Sequence, residues 1–364
     1  MPVRRISIVD FRNLVGVDLE FGDGRIAVIG DNAQGKTNLM EALAWLATAS
    51  SFRGDPTGAL VREGAEQAIL RAEVEGGGRT TLLEVELAAV GRNRMQVNRN
   101  RVSRVRDLLG HLVTTVFGPD DLALVKGGPV GRRRYLDDLL VASHPRHHGL
   151  VTDLERILRQ RNTLLRQARG RMTPDVESTL DVWDDKLTGV GDELGQARRD
   201  LVVLLRPEVA DILDVLGDGT RPATMEYESG WVGTGLGPAL AEARQDDIRR
   251  GVTTVGPHRD DLCIGLGGLP SRTHASQGEQ RSLALALRLG GRRVLAEHLG
   301  IEPIIILDDV FSELDPGRAG RLVGLLPPTQ VFVTAAGSLP EDIDVDRVIR
   351  IEAGSVVSDS EAGR

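Results

Sequence analysis

Cysteine is nearly absent: Cys263 is the only one in 364 residues. That excludes an intrachain disulfide framework, fits a reducing cytosol, and leaves Cys263 to serve as a small apolar residue of the interior. Long hydrophobic runs are missing too. None approaches the ~20 residues needed to span a bilayer, so no membrane partner is expected. The opening, Met1-Pro2-Val3-Arg4-Arg5-Ile6, passes straight into alternating strand-like sequence, so no secretory leader is expected and the predicted location is cytoplasmic. Lysine is scarce, with Lys36, Lys126 and Lys186 the only three. Nor is there an excess of positive charge: the net charge is −8. This rules out attraction of the whole surface to nucleic acid, but not a local basic face. No internal repeat is visible. With 41% hydrophobic and 27% charged residues, the chain reads as soluble and globular, with length enough for two domains or lobes.

Against that background one stretch stands out. Arg25-Ile26-Ala27-Val28-Ile29 has strand character, Gly30-Asp31-Asn32-Ala33-Gln34-Gly35-Lys36-Thr37 follows, and Asn38–Leu46 is helical in composition. Strand, G-x-x-x-x-G-K-T turn and helix make a phosphate-binding loop in its required context. Gly30 and Gly35 allow backbone angles that turn successive N–H groups inward, and the helix N-terminus adds its dipole. Lys36 is placed to meet the β- and γ-phosphates of ATP, and Thr37 to offer its hydroxyl to Mg²⁺.

A phosphate-binding loop needs a carboxylate from elsewhere. Pro303-Ile304-Ile305-Ile306-Leu307-Asp308-Asp309 reads as a strand buried on both faces, typical of a parallel sheet, with acids at its carboxyl end. Asp308 is expected to hold Mg²⁺, directly or through water, and Asp309 to orient or activate the attacking water. Upstream, Ala275-Ser276-Gln277-Gly278-Glu279-Gln280-Arg281 precedes a helix over Ser282–Leu299. Ser276 is its predicted N-cap and Glu279 sits at the capping-box position. Ser276-Gln277-Gly278-Glu279-Gln280 also resembles the signature of ABC-type ATPases, in which a serine, a glycine and a helix N-terminus bind the γ-phosphate held by a second subunit. Ser312-Glu313-Leu314-Asp315 resembles the D-loop of the same superfamily.

Between these motifs, Val3–Val9 and Val17–Phe21 read as a hairpin, and Ala68–Val74, Thr80–Leu87 and Met95–Val97 as further strands. Six arginines and no acid occur from Arg92 to Arg106. A solvated hairpin tip and a DNA-facing patch that includes Arg99, Arg101 and Arg104 both fit that composition. From Pro129 the periodicity turns helical over Pro129–Val141, Leu150–Ala168, Asp175–Leu187 and Leu194–Leu216, then again near Pro238–Arg250. Arg132-Arg133-Arg134 reads as a solvated face of the first of these helices, with a binding site as the alternative. Gly256-Pro257-His258-Arg259-Asp260-Asp261 reads as a hydrogen-bonded turn, with a place near nucleotide or DNA as the alternative.

Taken with Phe11-Arg12-Asn13-Leu14, Gly118-Pro119-Asp120-Asp121-Leu122 and the Gly256–Asp261 segment, these motifs resemble the RecF family of bacterial recombination-mediator ATPases, within the SMC/ABC superfamily. The resemblance covers nearly the whole chain. It implies an α/β fold: an ABC/SMC-type P-loop ATPase head from residues 1–127 and 252–364, with a mainly helical second lobe, 128–251, inserted. It also implies a weak DNA-stimulated ATPase that dimerises on ATP, binds gapped or single/double-strand-junction DNA, and helps load recombinase with RecR and RecO. Arg12 and Arg53 would lie at the nucleotide, and Ser276, Gln277, Gly278 and Gln280 would reach the partner's. Two departures stand out: Phe52 replaces a family histidine, and Thr334 occupies the place of a transporter's switch histidine. An SMC-like DNA-bridging ATPase is the alternative function, and a transporter ATPase subunit a more distant one.

Overall fold

The computed structural model describes residues 1–217, 221–337, 339 and 343–361. The chain begins with β1 (Val3–Phe11), β2 (Leu14–Glu20), β3 (Arg25–Ile29), α1 (Lys36–Thr48), β4 (Gln67–Gly76), β5 (Arg79–Ala88), β6 (Arg94–Val97), β7 (Asn100–Val102) and β8 (Thr114–Phe117). A mainly helical stretch follows: α2 (Leu122–Lys126), α3 (Pro129–Ser143), α4 (His147–Ala168), α5 (Pro174–Leu216), β9 (Ala223–Glu228), α6 (Leu236–Arg250), β10 (Asp261–Leu266), β11 (Leu269–Pro270), α7 (Ser271–His274) and α8 (Gln277–Leu299). It closes with β12 (Ile304–Asp308), α9 (Pro316–Leu325), β13 (Val331–Ala335), β14 (Arg347–Glu352) and β15 (Ser355–Glu361).

Two compact units result. The first comprises Met1–Leu122, Asp211–Thr220 and Arg281–Arg364. It holds two six-stranded sheets. One is antiparallel in the order β2-β1-β4-β5-β6-β7; the other runs β15-β14-β3-β13-β12-β8 and is parallel except for β15. Helix α1 packs against β1 and β4 of the first sheet and β8, β12 and β13 of the second. That explains its sequence. Enclosed on both sides, it buries Leu39, Met40, Leu43, Trp45 and Leu46 with no polar face to spare. Emptying the Trp45 site would cost about 3–5 kcal/mol. Strand β12 is buried at every position, as its unbroken apolar run predicts.

The second unit comprises Ala123–Ala210 and Arg221–Gln280. These boundaries differ from the expected 128–251. Strand β10 pairs with β9 over six residues, from Asp261↔Glu228 to Leu266↔Ala223, so residues 252–280 belong with the helical unit. The helix pattern also differs. The two predicted helices Asp175–Leu187 and Leu194–Leu216 are one 43-residue helix, α5. Leu180, Leu187, Leu194 and Leu201 recur every seventh residue and are all buried, so the apolar stripe continues through the glycines between them. Those glycines admit neighbours: a Cβ on Gly191 would fall 2.2 Å from Leu236, and one on Gly195 2.6 Å from Trp231. Cys263 is only half-buried on β10, where burial pushes its thiol up to about 12.

Candidate nucleotide site and signature segment

Strand order in the parallel sheet assembles the site. Strand β13 lies between β3, which runs into the phosphate-binding loop, and β12, which ends in Asp308. In register, Asp308 faces Thr334 and Thr334 faces Val28, two residues before Gly30. Carboxylate, hydroxyl and loop therefore meet at the carboxyl ends of adjacent strands.

The loop takes positive φ where glycine was expected. Gly30 has φ 152° and Gly35 φ 120°, and Ala33 between them is left-handed at φ 63°. A Cβ on Gly30 would sit 2.3 Å from the Ile351 carbonyl oxygen, so glycine is required there by both angle and space. The loop is also clamped from outside. Asn13 Nδ2 donates to the Ala33 carbonyl at 3.3 Å, the Gly354 amide to the Gln34 carbonyl at 2.9 Å, and the Ala353 amide to Gln34 Oε1 at 2.5 Å.

Asn32, Ala33, Gly35, Lys36, Thr37, Asn38, Arg53, Asp309 and Thr334 line a cleft of about 220 Å³. Lys36 Nζ donates to the carbonyls of Gly30 and Asp31, each at 2.7 Å. Burial pulls its pKa down, against the pull of Asp309, Asp308 and Asp31. Thr37 Oγ1 and Thr334 Oγ1 both donate to Asp308 Oδ1, at 3.0 and 2.8 Å, and burial pushes the Asp308 carboxyl up despite them. Thr334 in turn accepts from the Asp309 amide at 2.9 Å. Asp309 itself is left-handed, φ 54°, an uncommon angle for a non-glycine residue.

This donor set fits a nucleotide phosphate with Mg²⁺. A desolvated ammonium at the N-terminus of α1 suits an anion. A threonine hydroxyl bonded to a carboxylate gives two hard oxygens side by side, as Mg²⁺ requires when substrate phosphates supply the remainder. Among the described residues no group of three or more His, Cys, Asp or Glu could hold a metal by itself.

Other predicted residues lie elsewhere. Arg12 is a correction: it does not line the cleft. Its Nε and Nη2 donate to the fully buried Glu41 at 2.9 Å, Nη2 also pairs with Asp55, and Nη1 reaches the Ala59 carbonyl. Arg12 thus braces the loop that carries Arg53, whose Nη1 donates to Asn38 Oδ1 at 3.3 Å. A lone acid in the apolar run Leu39–Ala47 of α1 was the available signal for Glu41. Arg99, Arg101 and Arg104 are exposed near the β6–β7 hairpin, where Asn98 and Arg99 form a two-residue left-handed turn. None of the three has a carboxylate in ion-pairing range among the described residues.

In the second unit, the signature segment opens α8 through the expected capping box. The Ser276 amide donates to Glu279 Oε2 at 2.7 Å and the Glu279 amide to Ser276 Oγ at 3.3 Å. Ser276 and Gln277 are exposed and Gly278 half-buried. Gln280 is a second correction: it is buried, and its amide donates to the carbonyls of Ser271 and Arg272. The Gly256–Asp261 segment is a hydrogen-bonded hub. Asp260 accepts from Tyr227 Oη at 2.6 Å and Trp231 Nε1 at 2.9 Å, and burial takes His258 down to about 4. Arg132 and Arg133 are no solvated face. Arg132 grips Asp261 with two bonds of 2.8 and 2.7 Å, and Arg133 donates to the Asp260 carbonyl.

Comparison with known proteins agrees with this geometry. Residues 2–348 match the model of the RecF/RecN/SMC N-terminal domain. The DNA replication and repair protein RecF of Streptomyces avermitilis is 46% identical over 351 residues, covering 92% of this chain and 94% of that protein. The RecF of Frankia alni is 43% identical, covering 98% and 99%. Among solved structures, the recombination mediator protein RecF with ATPγS in the RecFOR pathway superposes with a TM-score of 0.90 at 30% identity, covering 98% and 97%. An Smc head bound to the C-terminal winged-helix domain of ScpA shares the fold at a TM-score of 0.60 and 16% identity, covering 99% and 98%. No helix of the described residues is long and apolar enough to cross a membrane.

Proposed function

The chain belongs to the RecF family of SMC-type ATPases, and from that premise we propose that it is an ATP-dependent DNA-binding protein of recombinational repair. ATP acts as a ligand that stabilises a homodimer, and slow hydrolysis releases it. The dimer binds gapped or single/double-strand-junction DNA and helps load recombinase with RecR and RecO.

The observation that carries the reading is the Thr37–Asp308–Thr334–Asp309 chain of bonds at the mouth of the phosphate-binding loop. Gly30–Thr37 and Lys36 bind the phosphates, and Thr37 and Asp308 hold Mg²⁺. Bound Mg²⁺ supplies neutralisation of the phosphate charge. Asp309 accepts a proton from the attacking water, and its backbone is held by the bond from its amide to Thr334. Ser276, Gln277 and Gly278 present a capped helix start to the phosphates bound by the other subunit. The exposed arginines Arg99, Arg101 and Arg104 contact DNA phosphates without reading sequence.

The test is the size of the protein in solution with ATP, ADP or no nucleotide, with and without gapped DNA. A dimer that forms with ATP, persists longer on gapped DNA and falls apart with ADP is expected. A size indifferent to nucleotide would overturn the reading.

A further inference from the structure

Within the helical unit, the exposed signature segment is gripped by a residue far from it in sequence. The Glu279 carboxylate has two tasks. Its Oε2 accepts from the Ser276 amide at 2.7 Å, closing the capping box, and its Oε1 accepts from Arg221 Nη1 at 3.2 Å. The same guanidinium donates through Nη2 to the Leu266 carbonyl at 2.9 Å, at the end of β10, and through Nη1 to the His274 carbonyl at 3.4 Å. Three segments thus meet at one planar, permanently charged group: the end of β10, the end of α7 and the first turn of α8. A Cβ on Gly267 would stand 2.8 Å from Arg221 Nε, so the strand end is shaped to receive it.

The geometry points to Arg221 as a positioning residue for the signature: it sets the direction in which Ser276, Gln277 and the first amides of α8 face the nucleotide held by the partner subunit. This inference rests on the trans arrangement proposed above. The role of Arg221 is indirect. It acts through Glu279, whose carboxylate without Arg221 would still cap the helix but would no longer be tied to β10. Gln280 holds the segment from the buried side through the Ser271 and Arg272 carbonyls. With Arg221 removed, that inner hold survives, so the loop keeps its fold and loses its aim. Lysine in its place would offer a point charge without the planar fork that spans three acceptors.

The experiment uses the full chain. Arg221→Ala is expected to bind ATP as a monomer with unchanged affinity. ATP-driven dimerisation should weaken roughly three- to fivefold for each composite site, the size of a partly exposed ion pair, and so about tenfold or more for a dimer with two. Arg221→Lys should recover part of the loss. Mixing decides whether the defect acts across subunits. Arg221→Ala mixed with Lys36→Ala should regain ATPase activity, because one composite site then has an intact loop and a positioned signature. Mixed with Ser276→Arg it should regain none, since both defects lie on the signature side. Wild-type dimerisation by Arg221→Ala, weakened monomeric ATP binding, or no recovery with Lys36→Ala would overturn the inference. Ser276→Arg mixed with Lys36→Ala is the reference: failure of that pair to recover would instead sink the trans reading itself.

Discussion

In the first unit, Arg99, Arg101 and Arg104 stand exposed with no carboxylate in range among the described residues, and the Asp309 carboxylate accepts no hydrogen bond there. In the second, Arg132, Arg161 and Arg198 are buried, and each is held by a carboxylate at 2.7 Å. Arg161 shows the pattern: Nε donates to Asp184, and Nη1 to Asp247 and Thr253 Oγ1, while the buried Nη2 has no hydrogen-bond partner among the described residues. Arg198 grips Asp137 with two bonds of 2.7 Å and donates to the Pro257 carbonyl at 2.8 Å. The same residue type therefore has two fates. Burial strips hydration from a guanidinium and demands internal partners, whereas exposure leaves its donors free for an anion from outside. The three buried arginines are structural parts, and the three exposed ones keep their donors available.

That contrast predicts which substitutions lose function and which lose the fold. The largest effect is expected at an open group. Asp309→Asn should keep ATP binding and unfolding behaviour while lowering the hydrolysis rate about 10²- to 10⁴-fold, because an amide cannot accept the proton of water. The measured outcome would be a dimer trapped by ATP, with single-turnover hydrolysis nearly abolished. Turnover at the wild-type rate would move the catalytic carboxylate elsewhere in the cleft.

A closed group should fail in the opposite way. Arg161→Met leaves Asp184 and the fully buried Asp247 without their shared cation. Breaking a buried pair from one side costs about 3–5 kcal/mol. The lower part of that range is expected, because Arg244 still reaches Asp184, and the Thr254 amide and hydroxyl still donate to Asp247. Urea unfolding followed by the fluorescence of Trp183 and Trp231, both in this unit, would report it. Adding Asp247→Asn should restore part of the loss by removing the stranded charge. A cost below about 1 kcal/mol would mean that the network is not the structural pin its burial suggests.

The contrast also explains what could be read in the sequence. The phosphate-binding loop is contiguous, so its chemistry was legible, as was the buried strand ending in Asp308-Asp309. The capping box at Ser276 and Glu279 is local and was equally plain. What escaped was set by distance along the chain. Nothing near Arg12 announces that Glu41 and Asp55 will hold it, and nothing near Arg132 announces Asp261, 129 residues away. Helical periodicity marked Asp175–Leu187 and Leu194–Leu216 but not the residues between them, where Gly191 admits Leu236. The β9–β10 pairing, which carries residues 252–280 into the helical unit, depends on strands separated by α6. Thr334 was visible as a residue in a late strand. Its hold on both Asp308 and the Asp309 amide follows only from strand order.

The smallest expected effect tests the open arginines, where the contrast is easiest to break. Arg99, Arg101 and Arg104 sit on or just after a short hairpin whose turn residues Asn98 and Arg99 are both left-handed, so the backbone there is fixed while the side chains are free. Their neighbour Arg94 is different: it pairs with Glu86 at 3.3 Å across the β5–β6 ladder. Replacing the three with glutamine should leave circular dichroism and ATP binding unchanged. It should weaken binding to gapped DNA and reduce the slope of log affinity against log salt by up to about three phosphate contacts. Arg94→Gln, a paired residue on the same hairpin, should change that slope little, because its charge is already spent on a carboxylate. If the triple variant keeps the wild-type slope, exposure and lack of a partner are not enough to mark a phosphate contact, and these arginines are solvated surface. If Arg94→Gln lowers the slope as much as one of the three, the pair with Glu86 opens on DNA, and the division between open and closed groups fails at the surface while holding in the interior.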